Sequence, residues 1–292
     1  MLLTQLEYFL ALAREQHFGR AAAASFVSPS TLSEAVRKLE AELGVPLVHR
    51  GRSFEGLTGE GELVLVWARR IVADHRALSD EIAVARERLA TRARFGVIPS
   101  GIAAVSRIVT RLSDANPLVS CSIASGLTSE EIVARLRSYE LDAGIIHPSA
   151  ADGPDLHTVP LASVRAVVVC GADAFDADVD EVTGEMLARA PLCLLSPGMR
   201  ARQVFDQEMH AHGLDLAPRV ETDSVEALLA LVSEGSWTAV VPESSLGGRL
   251  DPGLRVLPLV DPEVRTPLAL VRIADDPAPP LSTAIDAVSR PA

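Results

Sequence analysis

The chain has little from which to build a membrane anchor, a disulfide framework or a metal centre. Its 292 residues hold no apolar run approaching the roughly 20 that a bilayer-spanning helix needs. The opening residues lack the positive, apolar and small-residue order of a signal peptide, so a cytoplasmic location without a membrane partner is expected. Cys121, Cys170 and Cys193 stand far apart, with neither zinc-knuckle nor redox-pair spacing, and read as buried structural thiols, with an effector-sensing Cys as the lesser alternative. The seven His form no metal motif, and His210 and His212 are too close to share a helical face. No glycine fingerprint for a dinucleotide and no phosphate loop is present, so no cofactor is expected. Paired carboxylates and a nucleophile beside a base are missing as motifs; the chain is not expected to be an enzyme and offers no catalytic residue.

Positive charge is also short, and unevenly so. The net charge is -12, yet residues 1 to 94 carry 13 Lys plus Arg against 12 Asp plus Glu, for +1, while the remainder carries 14 against 27, for -13. A nearly neutral first part with clustered cations can meet phosphate; the acidic remainder repels it.

What the first part does have is FGRAAAASFVSPSTLSEAVRKLEAEL, from Phe18 to Leu43, which spells two short helices around a tight turn. Ala21 to Ala24 leave room for a second helix to cross closely, and Phe26 and Val27 are expected to turn inward at the corner. Ser28 reads as an N-cap and Pro29 as the first helical residue. Leu32, Val36, Leu39 and Leu43 recur at helical spacing and should face the core. Ser30, Thr31, Ser33, Glu34, Arg37 and Lys38 are left on other faces. Short hydroxyls at a helix start suit base edges in a major groove, and Arg37 and Lys38 suit phosphates. An isolated pair like this is more often an ordinary amphipathic corner; the flanks overturn that. Upstream, Thr4 and Glu7 read as a capping box for a helix over about 5–14, with Leu6, Phe9, Leu10 and Ala13 inward. Downstream, Gly44 ends the reading helix, VPLVHRGRSFEGLT reads as two extended segments around a basic tip at Arg50, Gly51 and Arg52, and Thr58 caps a long helix reaching about Leu89. Leu63, Trp67, Ile71, Leu78, Ile82, Ala85 and Leu89 form a stripe along it that can pair two such helices.

The run LEYFLALAREQHFGRAAAASFVSPSTLSEAVRKLEAELGVPLVHR, followed by LTGEGE, resembles the N-terminal winged helix-turn-helix of LysR-type transcriptional regulators. The resemblance implies DNA contacts at Ser28, Ser30, Thr31, Ser33, Arg37, Arg50 and Arg52, to which the helix pattern adds Lys38 as a phosphate contact. Pro29 and Ser30 replace a common Gln-Pro pair, Glu34 replaces a frequent basic residue, and the helix before the turn is expected to start at Gly19, a weak cap. The fold implied is α/β: a winged helix-turn-helix over 1–58, a linker helix over 59–91, and over 92–292 a periplasmic-binding-protein-like domain of two α/β subdomains. The first subdomain takes about 92–161 with 267–292, and the second about 162–266.

The residues after Arg92 agree with that expectation. FGVIP, LVSCSIAS, LDAGIIH, RAVVVCG, PLCLLSP, RVETD, SWTAVVPE and TPLALVRI are short strand-like runs separated by helix-like stretches. The resemblance further implies crossing strands near 159–164 and 264–267, with a ligand held between the subdomains. Strand ends that start helices supply free amides and hydroxyls suited to a carboxylate or other small anion. Ser100, Gly101, Thr128, His147, Ser196 and Met199 are the candidate effector residues; for any one hydroxyl alone, simple capping is the commoner role. Arg200 and Arg202 read as either added charge or a solvated helix face. The stretch LLSPGMRARQVFDQEMHAHGLDLAPRVETDSVEALLALVSEG is loosely similar to members responding to cyanate or small carboxylates. The expected function is therefore a promoter-binding regulator, a homodimer or homotetramer on double-stranded DNA, controlled by a small and anionic effector. The alternative is a small-molecule binder or enzyme on the same two-subdomain fold.

Overall fold

A computed structural model describes residues 1–50, 54–84, 89–247 and 251–290. The chain divides into two compact units, Met1–Leu89 with Arg137–Glu140, and Ala90–Leu136 with Leu141–Ala292.

In the first unit, α1 (Leu3–Glu15), α2 (Phe18–Ala24) and α3 (Pro29–Leu43) pack around Leu6, Phe9, Leu12, Ala21, Ala22, Leu32, Val36 and Leu39. Helix α1 starts two residues earlier than expected and Thr4 does not cap it; the Gln5 side chain instead accepts from the Leu2 amide at 2.6 Å. Helix α2 does not start on a bare Gly19. His17 is its cap, with Nδ1 accepting from the Gly19 and Arg20 amides at 3.0 and 3.3 Å. Ser28 caps α3 and Pro29 takes its first position, both as the residue types require. Gly44 ends that helix at φ 73°, where an L side chain would be strained. Leu43 is exposed rather than part of the core.

Strands β1 (Val48–Arg50) and β2 (Phe54–Leu57) pair antiparallel as the wing. Glu40 anchors it to α3, its carboxylate accepting from the Leu47 and Val48 amides at 2.9 and 3.3 Å. Thr58 then caps α4 (Gly59–Val84), with Oγ1 accepting from the Gly61 amide at 2.9 Å. Helix α4 packs on the module through Gly61, Leu65 and Ala68. Ala85 lies outside the described residues and Leu89 lies outside the helix.

The second unit is an α/β layer structure. Its strands and helices run β3 (Arg92–Val97), α5 (Ile102–Ala115), β4 (Ser120–Ser125), α6 (Ser129–Arg137), β5 (Ala143–Ile146) and the 16-residue β6 (Leu156–Gly171). After β6 come β7 (Val182–Thr183), α7 (Gly184–Leu187), β8 (Leu192–Leu195), α8 (Arg200–Ala211), β9 (Val220–Thr222) and α9 (Val225–Glu234). The chain finishes with β10 (Thr238–Pro242), β11 (Leu254–Val260), β12 (Arg265–Ile273) and α10 (Pro280–Ser289). The order β4-β3-β5-β12-β6-β10-β8-β9 places β6 in the middle. Its first part, to Arg165, pairs antiparallel with β12, and its second part, from Ala166, pairs antiparallel with β10 and β11. One long strand therefore carries the backbone from one half of the domain to the other. The β12 register slips between Leu268 and Ala269, opposite Ala162 and Pro160, so a bulge absorbs the proline within the ladder. Strands β5 and β8 are buried on both faces, as their runs Ala-Gly-Ile-Ile and Leu-Cys-Leu-Leu, free of charged and polar side chains, allow. Among the described residues no helix is long and apolar enough to cross a membrane.

Candidate DNA-reading helix and effector cleft

At the start of α3 the Ser28 hydroxyl accepts from the Thr31 amide at 3.1 Å and lies 2.8 Å from both the Ser30 and Thr31 hydroxyls. All three are exposed, so one helix start presents a linked hydroxyl cluster to solvent. Ser33 is half-buried, which makes it the least accessible of the expected contacts. Arg37 and Lys38 are exposed one turn further on, and Glu34 reaches toward both at 3.3 and 4.0 Å. Pairs this exposed hold weakly, so a phosphate can compete for either cation. Arg50 closes β1, while its side chain and the whole of Arg52 lie outside the described residues. Val27 packs against the core, but Phe26 does not turn inward: it is 96 % exposed at φ 55°. The tight turn needs a left-handed residue there, and that backbone throws the ring outward.

In the second unit a narrow pocket lies between the two halves of the domain. Four of the six expected effector residues line it: Ser100, Thr128, His147 and Met199. Gly101 instead packs against Ile145 and Val97, where a Cβ has no space, and Ser196 does not line the pocket. Thr128 is a cap. Its amide and hydroxyl both go to the Glu131 carboxylate, and its oxygen accepts from the Glu131 amide, so its free donors are already spent. That reciprocal bonding holds the Glu131 carboxyl below its usual range.

His147 is 5 % exposed at the end of β5. Its Nδ1 lies 2.8 Å from the Pro267 carbonyl and its Nε2 2.9 Å from the Ser100 hydroxyl. A carbonyl only accepts, so Nδ1 carries the proton and Nε2 accepts from Ser100. Burial lowers the pKa of the ring and the nearby Arg200 lowers it further, against the opposing pull of the Pro267 carbonyl. The imidazole is neutral at pH 7.

Arg200 is the principal residue the sequence left undecided. From the start of α8 its guanidinium donates to Asp152 at 2.6 and 2.9 Å, to Glu130 at 2.6 Å and to the His147 carbonyl at 2.7 Å. Asp152 itself accepts from the Ser149 amide at 2.7 Å. Ser244 adds a second tie between the halves, donating to the Ser100 carbonyl at 2.8 Å. Arg202 is likewise no solvated helix residue: it is 7 % exposed and donates to Asp206, Glu221 and the Leu195 carbonyl. Both arginines are held by protein groups. Ser129, whose hydroxyl accepts from the His147 amide at 3.3 Å, and Ser245, whose buried hydroxyl has no partner among the described residues, also line the pocket and were missed. For Ser129 the signal was present, since it directly follows the expected cap at Thr128.

The family model for the bacterial regulatory helix-turn-helix protein of the lysR family matches residues 3–62, and that for the LysR substrate binding domain matches 86–290. The chain is 31 % identical over 255 residues to the SDS degradation transcriptional activation protein of Pseudomonas sp. (strain ATCC 19151), covering 86 % of this chain and 82 % of that protein. It is 29 % identical over 273 residues to the hydrogen peroxide-inducible genes activator of Dickeya chrysanthemi, covering 93 % and 89 %. Full-length OxyR from Pseudomonas aeruginosa superposes with a TM-score of 0.78 at 29 % identity, over 99 % of this chain and 95 % of that one. Full-length CbnR complexed with its target DNA, at 23 % identity and a TM-score of 0.71 over 99 % of each chain, shares the fold. With both modules matched in order along nearly the whole chain, this protein belongs to the LysR family of transcriptional regulators.

Proposed function

We propose that the α3 start, with Ser28, Ser30, Thr31 and Ser33, reads base edges in promoter DNA while Arg37, Lys38, Arg50 and Arg52 hold the backbone, and that a small anionic metabolite in the pocket beside His147 and Met199 modulates that binding in the cytoplasm. The observation that carries the first half is the exposed hydroxyl cluster on a capped helix whose other side is core. For the second half, the starts of α6, α8 and α9 border the one pocket, and no side chain caps α8, so its amides remain to receive an anionic group. A metabolite of this kind displaces nothing from Arg200 and sits against a neutral imidazole.

Pairing along α4 supports a homodimer or homotetramer: Leu63, Trp67, Leu78 and Ile82 are more than half exposed along one helix, a stripe suited to a second copy. Coupling between effector and DNA is expected at ~1 to 3 kcal/mol. The test is a gel shift on the DNA upstream of the protein's own gene. A discrete band lost in Arg37→Ala and Arg52→Ala supports the reading; no band at low salt with the unaltered protein overturns it.

A further inference from the structure

We propose that a second anion site lies at the hinge, where Arg107, Arg165 and Arg265 line one groove of about 820 Å³ suited to a small organic oxyanion such as a polycarboxylate or phosphate ester. Arg165 and Arg265 stand directly opposite each other in the β6–β12 ladder. Like charges in that position repel, and a sheet that keeps them there needs a counter-charge. Each leans on one carboxylate, Arg165 on Glu243 at 3.2 Å and Arg265 on Glu263 at 2.7 Å, in pairs whose side chains are all more than a third exposed. Only Glu243 of these two carboxylates lines the groove. Arg107 enters from α5 and has no ion-pair or hydrogen-bond partner among the described residues.

Three guanidiniums against two carboxylates, Arg107 being the one left over, in a part of the chain with a net charge of -13, is a local reversal of sign. Guanidinium forks match carboxylate and phosphate oxygens and hold them by paired bonds. Beside the groove, and sharing Ala104 and Arg107 with it, lies a second space walled by Ile108, Leu161 and Val288, with Arg111 and Ser289 at its polar side. An oxyanion head on the arginines therefore has room for an apolar body past Arg107.

The placement gives such a ligand leverage. Arg107 belongs to α5, in the half of the domain that includes β3 to β5, whereas Arg165 stands where β6 passes from β12 to β10 and β11. An anion bridging the two fixes the two halves against each other from outside the effector pocket. This site does not depend on the identity of the cleft effector.

The experiment is calorimetric titration of the full chain with sodium citrate and, separately, inorganic phosphate, at an ionic strength held constant with sodium chloride. Saturable binding of either supports the site if Arg107→Ala and Arg265→Ala each weaken it roughly ten-fold or more, the loss of a charge-assisted bond, while His147→Gln leaves it unchanged. Citrate alone binding assigns a polycarboxylate class, and phosphate alone assigns a phosphate ester. The proposal is overturned if neither binds, if His147→Gln removes binding while the arginine variants retain it, or if Arg189→Ala, an exposed arginine outside the groove, weakens binding as much. Unchanged circular dichroism in each variant confirms that folding is intact.

Discussion

Arg200 and Asp152 face each other across the cleft through two hydrogen bonds, 2.6 and 2.9 Å long, between side chains that are each 10 % exposed. The pair joins the start of α8 to the loop after β5, so it closes the domain with no ligand required. Removing one member takes its nearest counter-charge from a buried group, even though Arg200 keeps Glu130 and the His147 carbonyl and Asp152 keeps the Ser149 amide. Arg200→Met is expected to cost about 3 kcal/mol, and Asp152→Ala a similar amount. The double variant should cost clearly less than the sum, whereas Glu130→Ala, at an acidic partner that is 55 % exposed, should cost under about 1 kcal/mol. Urea denaturation of the four proteins measures the coupling. Additive single effects would show that the pair contributes nothing as a pair.

His147 sets a pH dependence whose sign follows from its burial. The folded pKa lies below the ordinary His value because the ring is buried, so the unfolded chain binds more protons between the two values. The stabilisation is fully present above about pH 6.5 and declines as pH falls below that toward the folded value. His147→Gln should flatten this part of the stability profile. A thermal-melting series from neutral to mildly acidic pH, in which wild type and variant lose stability in parallel, would place the slope on another group.

Phe26 combines a φ of 55° with a ring that is 96 % exposed. A left-handed backbone is strained for an aromatic residue and tolerated by asparagine, so Phe26→Asn is expected to stabilise the winged module by about 1 kcal/mol. Differential calorimetry should record a higher melting temperature. A lower one would mean that the ring packs on something in solution.

The elements legible in the sequence were those that local chemistry determines. Ser28 with Pro29, Gly44 and Thr58 mark helix ends because a cap is read over three or four residues, and the structure puts ends there. The helix-turn-helix and the alternation of β3 to β6 follow from spacing in the same way. Strand β11 was hidden because Pro258 interrupts Leu254–Val260, although it pairs opposite Val167 in the ladder. Thr128 looked like a ligand donor, yet Glu131 three residues on already announces a capping box. Arg200 could not be decided at all, since its partners Glu130 and Asp152 lie 70 and 48 residues away and only the closed fold brings them together. The interrupted caps at Thr4 and Gly19 failed for a related reason: Gln5 and His17 cap with longer side chains than the usual hydroxyls.

Gly61 sits where α4 crosses the wing. A Cβ there would collide with the Leu47 carbonyl, and backbone cannot step aside as a flexible side chain does. Alanine gains about 1 kcal/mol of helix propensity over glycine, but overpacking against backbone costs about 1 to 3 kcal/mol. Gly61→Ala should therefore lower the stability of the winged module and with it DNA affinity, whereas Gly59→Ala, whose added carbon meets nothing, should not. Equal melting temperatures for the two variants would contradict the crossing geometry.

Peroxide offers a test of whether this chain shares the response for which some of its relatives are named. A thiol must ionise to react, and burial pushes all three thiols the other way: Cys193 up to about 11, Cys170 upward despite Arg255, and Cys121 upward despite Ser113. Cys170 and Cys193 lie in β6 and β8 with β10 between them. Two strand spacings amount to about 10 Å, beyond the roughly 7 Å that a disulfide spans, and the two residues belong to separate core clusters. Peroxide is therefore expected to leave DNA binding unchanged, with no intramolecular disulfide detected by mass spectrometry, and the Cys121→Ser, Cys170→Ser, Cys193→Ser triple variant should bind like wild type. A gel shift that peroxide alters in wild type but not in the triple variant would assign the sensor to a thiol instead.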